Sequence, residues 1–137
     1  MIPTLEEKIK AIVQGEVDSR GATREFYSHD ASLFEVKPKI VVYPKTSADI
    51  QELVKFAARE NARSRDEGER ISLTARAAGT DMSGGPLGES IVVDVLKYMN
   101  RIISVDDEKG IVEPGAYYRD FEKETLKRNR LMPAYTA

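Results

Sequence analysis

The chain has 137 residues, 41% of them hydrophobic and 32% charged, which is enough for one ordinary domain with a core of its own. Its 21 basic and 23 acidic residues leave a net charge of −2, so no global field favours nucleic acid. Cysteine is absent, which excludes disulfides, a thiolate nucleophile and a cysteine-based zinc site. The first residues, MIPTLEEKIKAIV, lack a signal-peptide pattern, and no apolar run approaches the ~20 residues that span a bilayer; a cytoplasmic location is expected.

Thr4 and Glu7 form a capping-box pattern at the start of a helix. Leu5, Ile9, Ile12 and Val13 share its inner face and Gly15 is the expected stop. A second short helix is expected from about Asp18 to Tyr27. Lys39 to Tyr43 is a β-branched run closed by Pro44, and reads as a buried strand. Thr46 or Ser47 should cap the next helix, with Ile50, Leu53, Val54, Ala57 and Ala58 on its apolar face and Asn61 near its end. Arg63 to Arg70 is almost entirely charged and reads as a solvated loop. Strands follow at Ile71 to Ala75 and at Ile91 to Val95, and strand, helix, strand in this order implies a right-handed parallel crossover. Ile102 to Val105 and Ile111 to Glu113 flank Asp106 to Gly110, a hairpin signal with glycine expected in the left-handed position. Tyr117 to Asn129 is expected to be helical, with Tyr117, Tyr118, Phe121 and Leu126 turned inward. The expected fold is α/β (α+β): a small, mostly parallel sheet flanked by helices, with an added β-hairpin.

The richest stretch runs from Thr74 to Pro86 and joins two predicted strands. Its small residues let the backbone turn tightly, and converging N–H groups make a concave site for phosphate or pyrophosphate. Arg76, Thr80 and Ser83 are placed to add charge and hydroxyls. Gly79 and Gly84 have P-loop spacing, but Gly85-Pro86 stands where lysine and a hydroxyl residue are required. The dinucleotide pattern G-x-G-x-x-G is absent, and this loop leads to a strand instead of a helix. Composition alone leaves open whether the stretch is an anion cradle or a connection with no ligand.

Read in order, the motifs resemble a known family. Tyr27 to Ser32, Pro38 to Pro44 followed by Thr46 to Ile50, Arg76 to Thr80, Ile91 to Asp94, Met99 to Ile102, Val112 to Gly115 and Leu131 to Pro133 are similar to the first subdomain of the PCMH-type FAD-binding domain. That domain is shared by vanillyl-alcohol oxidase, D-lactate and glycolate dehydrogenases and the flavin-dependent muramate-forming reductases. The resemblance covers about Tyr27 to the C-terminus, with residues 1–30 a helical lead-in and 38–137 the α/β subdomain. It implies that Arg76, Ala77, Ala78, Gly79, Thr80, Asp81 and Met82 wrap the FAD pyrophosphate. Pro44 would border the adenine, Pro114 and Gly115 the diphosphate or flavin, and Tyr135 and Thr136 would begin the stretch that meets the isoalloxazine.

The chain departs from the family in three respects. Ala77 and Ala78 replace glycines, so the backbone there must tolerate a Cβ. Thr80 stands where some members carry a histidine bonded to the flavin, so FAD would be held non-covalently. The chain stops at Ala137, where relatives continue into a second FAD subdomain and a substrate domain. It is therefore expected to be a piece of a longer oxidoreductase acting on a small 2-hydroxy acid. By itself it should be inactive, hold FAD weakly or not at all, and expose the face meant for the second subdomain, favouring dimerisation. The alternative is a non-catalytic scaffold or interaction fragment that has lost FAD. No catalytic or metal-ligating residue is expected here, and no nucleic-acid or membrane partner. His29 and Asp30 read as structural, Asp106 to Glu108 as a solvated turn, and the Tyr117-Tyr118 pair as packing a helix onto the sheet. Arg76 is left between phosphate contact and a structural ion pair.

Overall fold

The computed structural model describes residues 3–64 and 66–133. Helix α1 spans Leu5–Lys10 behind the expected capping box, with both the Thr4 and the Glu7 side-chain bonds made. It stops at Lys10, short of Gly15, whose role is close approach: a Cβ there would stand 2.1 Å from the Tyr43 carbonyl oxygen. Glu16–Asp18 forms β1, a strand absent from the sequence reading, so α2 begins later than expected and spans Gly21–Phe26. Strand β2 covers Ile40–Tyr43 and α3 covers Ser47–Arg63. Strands β3, Leu73–Arg76, and β4, Ile91–Asp94, follow. The chain then makes β5, Ile102–Val105, β6, Gly110–Val112, and α4, Tyr118–Leu126.

The main sheet has the order β1-β2-β4-β3. Strands β2, β4 and β3 are mutually parallel, and β1 runs antiparallel along the edge of β2. Strand β4 therefore lies between β2 and β3, so the chain leaving α3 passes over the β4 position before returning to it. The two central strands are apolar on both faces, as expected of strands covered on both sides. Ile40, Val42, Ile91 and Val93 pack with Ile9, Leu53 and Phe56 on one face, while Val41 and Val92 meet Tyr27 on the other.

Several inward assignments shift. On α3, Val54 and Ala58 are exposed and Phe56 takes the core position. Thr46 occupies the cap position without a side-chain bond. Instead Asp49, buried in the first turn, accepts N–H bonds from Gln14 and Lys45, both at 2.8 Å. Those bonds tie the loop before β1 to the end of β2. On α4, Tyr117 and Leu126 lie half exposed and the buried residue is Thr125. This helix packs on the β5-β6 hairpin, not on the main sheet, and ends at Leu126, short of the expected Asn129, which lies in the following turn in the left-handed region at φ 55°. Gly110 is not left-handed. It is glycine because a Cβ would stand 2.3 Å from the Phe121 ring, which covers the hairpin from α4. The turn itself is held by Asp106, which accepts N–H bonds from Glu108 and Lys109. No described helix is long and apolar enough to cross a membrane.

Candidate functional site

Because β2, β3 and β4 are parallel, their carboxyl ends open on one edge of the sheet, where open α/β sheets bind ligands. Pro44 follows β2 and is fully buried. The loop beginning at Ala77 leaves β3. Gly115 donates its N–H to the Met99 carbonyl at 2.8 Å, and its Cα is so close to the end of β4 that a Cβ would stand 2.2 Å from the Val95 oxygen. The sheet thus brings Pro44, the loop after Arg76 and Gly115 to one edge.

Within the loop, Gly79 and Gly84 have φ +70° and +85°. Among the described residues Asn129 is the only non-glycine with a positive φ, so Ala77 and Ala78 carry their Cβ without backbone conflict. Among the described residues, the N–H groups of Ala78, Gly79 and Thr80 donate to no protein acceptor. The second half of the loop is closed by its own acid: Asp81 Oδ1 accepts from the Ser83 N–H at 2.6 Å, the Ser83 hydroxyl at 2.7 Å and the Gly85 N–H at 3.3 Å. The Ser83 side-chain bond, with the amide bonds behind it, holds the Asp81 carboxyl below its ordinary value. The N–H groups from Ala78 to Met82 thus have no acceptor among the described residues, and Asp81 shapes the loop with its side chain.

Arg76 turns inward at the end of β3 and is 6% exposed. Its Nη1 donates to the carbonyls of His29 at 2.7 Å and Tyr27 at 3.4 Å, and its guanidinium carbon sits 5.0 Å from the centre of the Tyr27 ring. It makes no ion pair among the described residues. The Tyr27 hydroxyl donates to Asp94 Oδ2 at 2.5 Å, and Asp94 Oδ1 accepts from the Lys97 N–H at 3.0 Å. Burial first, and the Asp94 bond second, push the Tyr27 hydroxyl far above its ordinary value, so it remains a donor. The segment around Tyr27 is stapled to the loop a second time where the Ala31 N–H donates to the Gly79 carbonyl at 3.2 Å. Between them lies an open cleft of about 630 Å³, walled by Phe26, His29, Asp30 and Ala31 on one side and by Arg76, Gly79 and Thr80 on the other.

This geometry sits in a recognised sequence family: residues 38–137 match the family described as FAD binding domain. The chain belongs to that family. A D-2-hydroxyglutarate dehydrogenase of Escherichia coli is 34% identical over 98 residues, 72% of this chain and 9% of that protein. The mitochondrial cytochrome-type D-lactate dehydrogenase of Kluyveromyces lactis is 28% identical over 101 residues, 71% of this chain and 16% of that protein. The chain thus spans about a tenth of the length of the hydroxyglutarate dehydrogenases it matches. Among solved structures, p-cresol methylhydroxylase superposes with a TM-score of 0.67 at 22% identity, covering 89% of this chain and 24% of that one. A 6-hydroxy-D-nicotine oxidase from Arthrobacter nicotinovorans gives 0.66 at 20% identity, covering 84% and 24%. These two likenesses concern the fold, a mixed α/β unit of the PCMH type.

The residues present fit the diphosphate of the family's cofactor. Three adjacent N–H groups with no acceptor among the described residues span a left-handed glycine whose missing Cβ makes room for the Arg76 guanidinium beside it. Thr80 lines the cleft, and a threonine cannot take a flavin bond. Tyr135 and Thr136, expected beside the isoalloxazine, lie outside the described residues. Asp30 accepts the Ser32 N–H at 2.8 Å, as expected for a local backbone bond, while its Oδ2 is enclosed without a partner. His29 is exposed between Glu25 and Glu35, 3.9 Å from each. The sequence reading gave Tyr27 and Asp94 no part in the site. A carboxylate closing the buried run Ile91 to Asp94 was the available signal.

Proposed function

We propose that this chain holds the diphosphate and adenosine side of FAD, non-covalently, for an oxidoreductase acting on a small 2-hydroxy acid. The observation that carries the reading is the row of free amides at Ala78 to Thr80 at the carboxyl edge of the parallel sheet. The names of the hydroxyglutarate and lactate dehydrogenases support the substrate class. When bound, the flavin supplies the hydride acceptor. The chain's own residues bind and orient: Ala77 to Met82 wrap the diphosphate, Pro44 borders the adenine, and Pro114 and Gly115 lie toward the flavin. Titrating the chain with FAD, ADP and cytidine monophosphate by calorimetry tests this. FAD and ADP should bind weakly and the control should not; binding by neither overturns the assignment in favour of a scaffold that has lost FAD.

The hairpin unit supports a second part of the proposal. Two strands alone are marginal in water, and here Ile103, Ile111, Val112, Leu126 and Leu131 stand exposed around them. We infer that this face docks further protein, and that the isolated chain self-associates through it. Sedimentation should show a concentration-dependent dimer that Ile103→Lys suppresses. A monomer at all concentrations would reject this.

A further inference from the structure

We propose that Glu25, His29 and Glu35 form a divalent transition-metal site, suited to zinc, that clips the segment between α2 and β2. This goes beyond the flavin reading and does not rest on it. Glu25 lies in the last turn of α2 and His29 follows at i+4, the spacing that puts two side chains on one side of a turn. Glu35 comes from across the segment. It is the partner of His29 in an isolated antiparallel bridge, so the two side chains leave the same face. The Ser28 hydroxyl donates to the Glu25 carbonyl at 2.7 Å and the Val36 N–H to the Ser28 carbonyl at 2.9 Å. Both flanks of the bridge are thereby fixed.

One oxygen of each carboxylate lies 3.9 Å from His29 Nε2, and one donor atom from each of the three residues falls within 4.8 Å of the others. At 3.9 Å neither carboxylate hydrogen-bonds the ring. A tetrahedral ion with ligand bonds of about 2.0–2.2 Å holds its donors roughly 3.4 Å apart. Exposed side chains reach that spacing by small rotations. One imidazole nitrogen with two carboxylates suits zinc better than magnesium or calcium, which favour an all-oxygen shell. Lys37 Nζ holds the other oxygen of Glu25, Oε2, at 2.5 Å and leaves Oε1 toward the ring. That bond first, and the ammonium charge second, keep the Glu25 carboxyl below its ordinary value, so it is ionised and oriented before an ion arrives. The same ammonium offsets one carboxylate charge and keeps the affinity moderate. Asp30 adds a separate mark: it lines the same cleft as Glu25 and His29, and its Oδ2 is enclosed with no hydrogen-bond partner. An enclosed acceptor without a donor calls for one, and the water ligands of a cation are donors.

His29 is the one histidine of the chain and cysteine is absent, so no second imidazole or thiolate can imitate the site. The test titrates the full chain, free of any histidine tag and of chelator, with zinc chloride and with magnesium chloride by calorimetry. The imidazole proton resonances are followed alongside by NMR. One zinc per chain should bind, magnesium should not, and the ring resonances should move with the same stoichiometry. His29→Ala and Glu35→Gln should each weaken zinc by about tenfold or more. Saturating zinc should raise the Tm of wild type and leave that of His29→Ala unmoved. Both positions are exposed, so both variants should fold, which circular dichroism checks. Glu52→Gln, on the outer face of α3, is the control and should keep wild-type affinity. Zinc binding that survives His29→Ala or Glu35→Gln undiminished overturns the proposal. So does a wild-type chain that takes up no zinc at millimolar concentration, its two carboxylates then serving only as ion-pair partners of the imidazolium.

Discussion

Replacing Gly79 with alanine is expected to weaken ADP and FAD binding by about 100-fold while the chain still folds. Two costs add. At φ +70° a Cβ collides with the residue's own backbone, worth roughly 1–2 kcal/mol. The same Cβ lands 2.5 Å from Arg76 Nη2, so the guanidinium must leave its place and loosen its bonds to the Tyr27 and His29 carbonyls. Displacing a buried charged donor costs about 1–3 kcal/mol more. Part of that sum appears as lost stability, and the larger part as a loop that no longer presents the amides of 78–80 together. Gly21→Ala is the control: no atom lies within 4 Å of its added Cβ and the position opens α2, so stability should hold or rise by about 0.5 kcal/mol. Calorimetry on both variants checks the pair. Wild-type ADP affinity in Gly79→Ala would mean that the loop's shape does not govern binding.

What the sequence made legible is what local chemistry dictates. The capping box at Thr4 and Glu7, the β-branched runs at Ile40 and Ile91 and the small-residue loop after Arg76 each carry their own signal, and each lies where expected. The misses are the features settled by partners distant in sequence. Strand β1 has only three residues and exists because the edge of β2 offers it a ladder. Gly110 carries the same one-letter sign as a left-handed turn glycine, yet its reason is Phe121, 11 residues further on. Periodicity turned Tyr117 and Leu126 inward by treating α4 as a helix on the main sheet, whereas the hairpin is the surface it meets. Within the site, the loop could be read because main-chain amides need only small residues in order. The Tyr27, Asp94 and Arg76 contacts could not, since they join residues 49 and 67 positions apart.

The hairpin and α4 are joined to the parallel sheet by a short stretch, and Gly115→Ala should disconnect them. The attachment includes the Gly115 N–H on the Met99 carbonyl, while the Glu113 N–H on the Arg101 carbonyl and the Arg101–Glu113 ion pair at 2.7 Å close the base of the hairpin itself. A Cβ on Gly115 would stand 2.2 Å from the Val95 oxygen, 2.7 Å from the Val95 carbonyl carbon and 2.8 Å from the Leu96 Cα. All three are backbone atoms at the exit of β4, so no side chain can rotate to make room, and the two segments must separate. Overpacking of this kind costs about 3 kcal/mol, or a fall in Tm of roughly 10 °C for a chain of this length. The loss should be local. Amide exchange in β5, β6 and α4 should rise to near the rate of exposed loops, while β2 and β4, whose Ile40, Val41, Val42, Ile91 and Val92 are almost fully enclosed, keep their protection. Because Pro114 and Gly115 are assigned to the flavin side, FAD affinity should drop more than ADP affinity. Uniform acceleration over all six strands would instead show the hairpin and the sheet unfolding as one unit, and equal losses for the two ligands would place this turn away from the flavin.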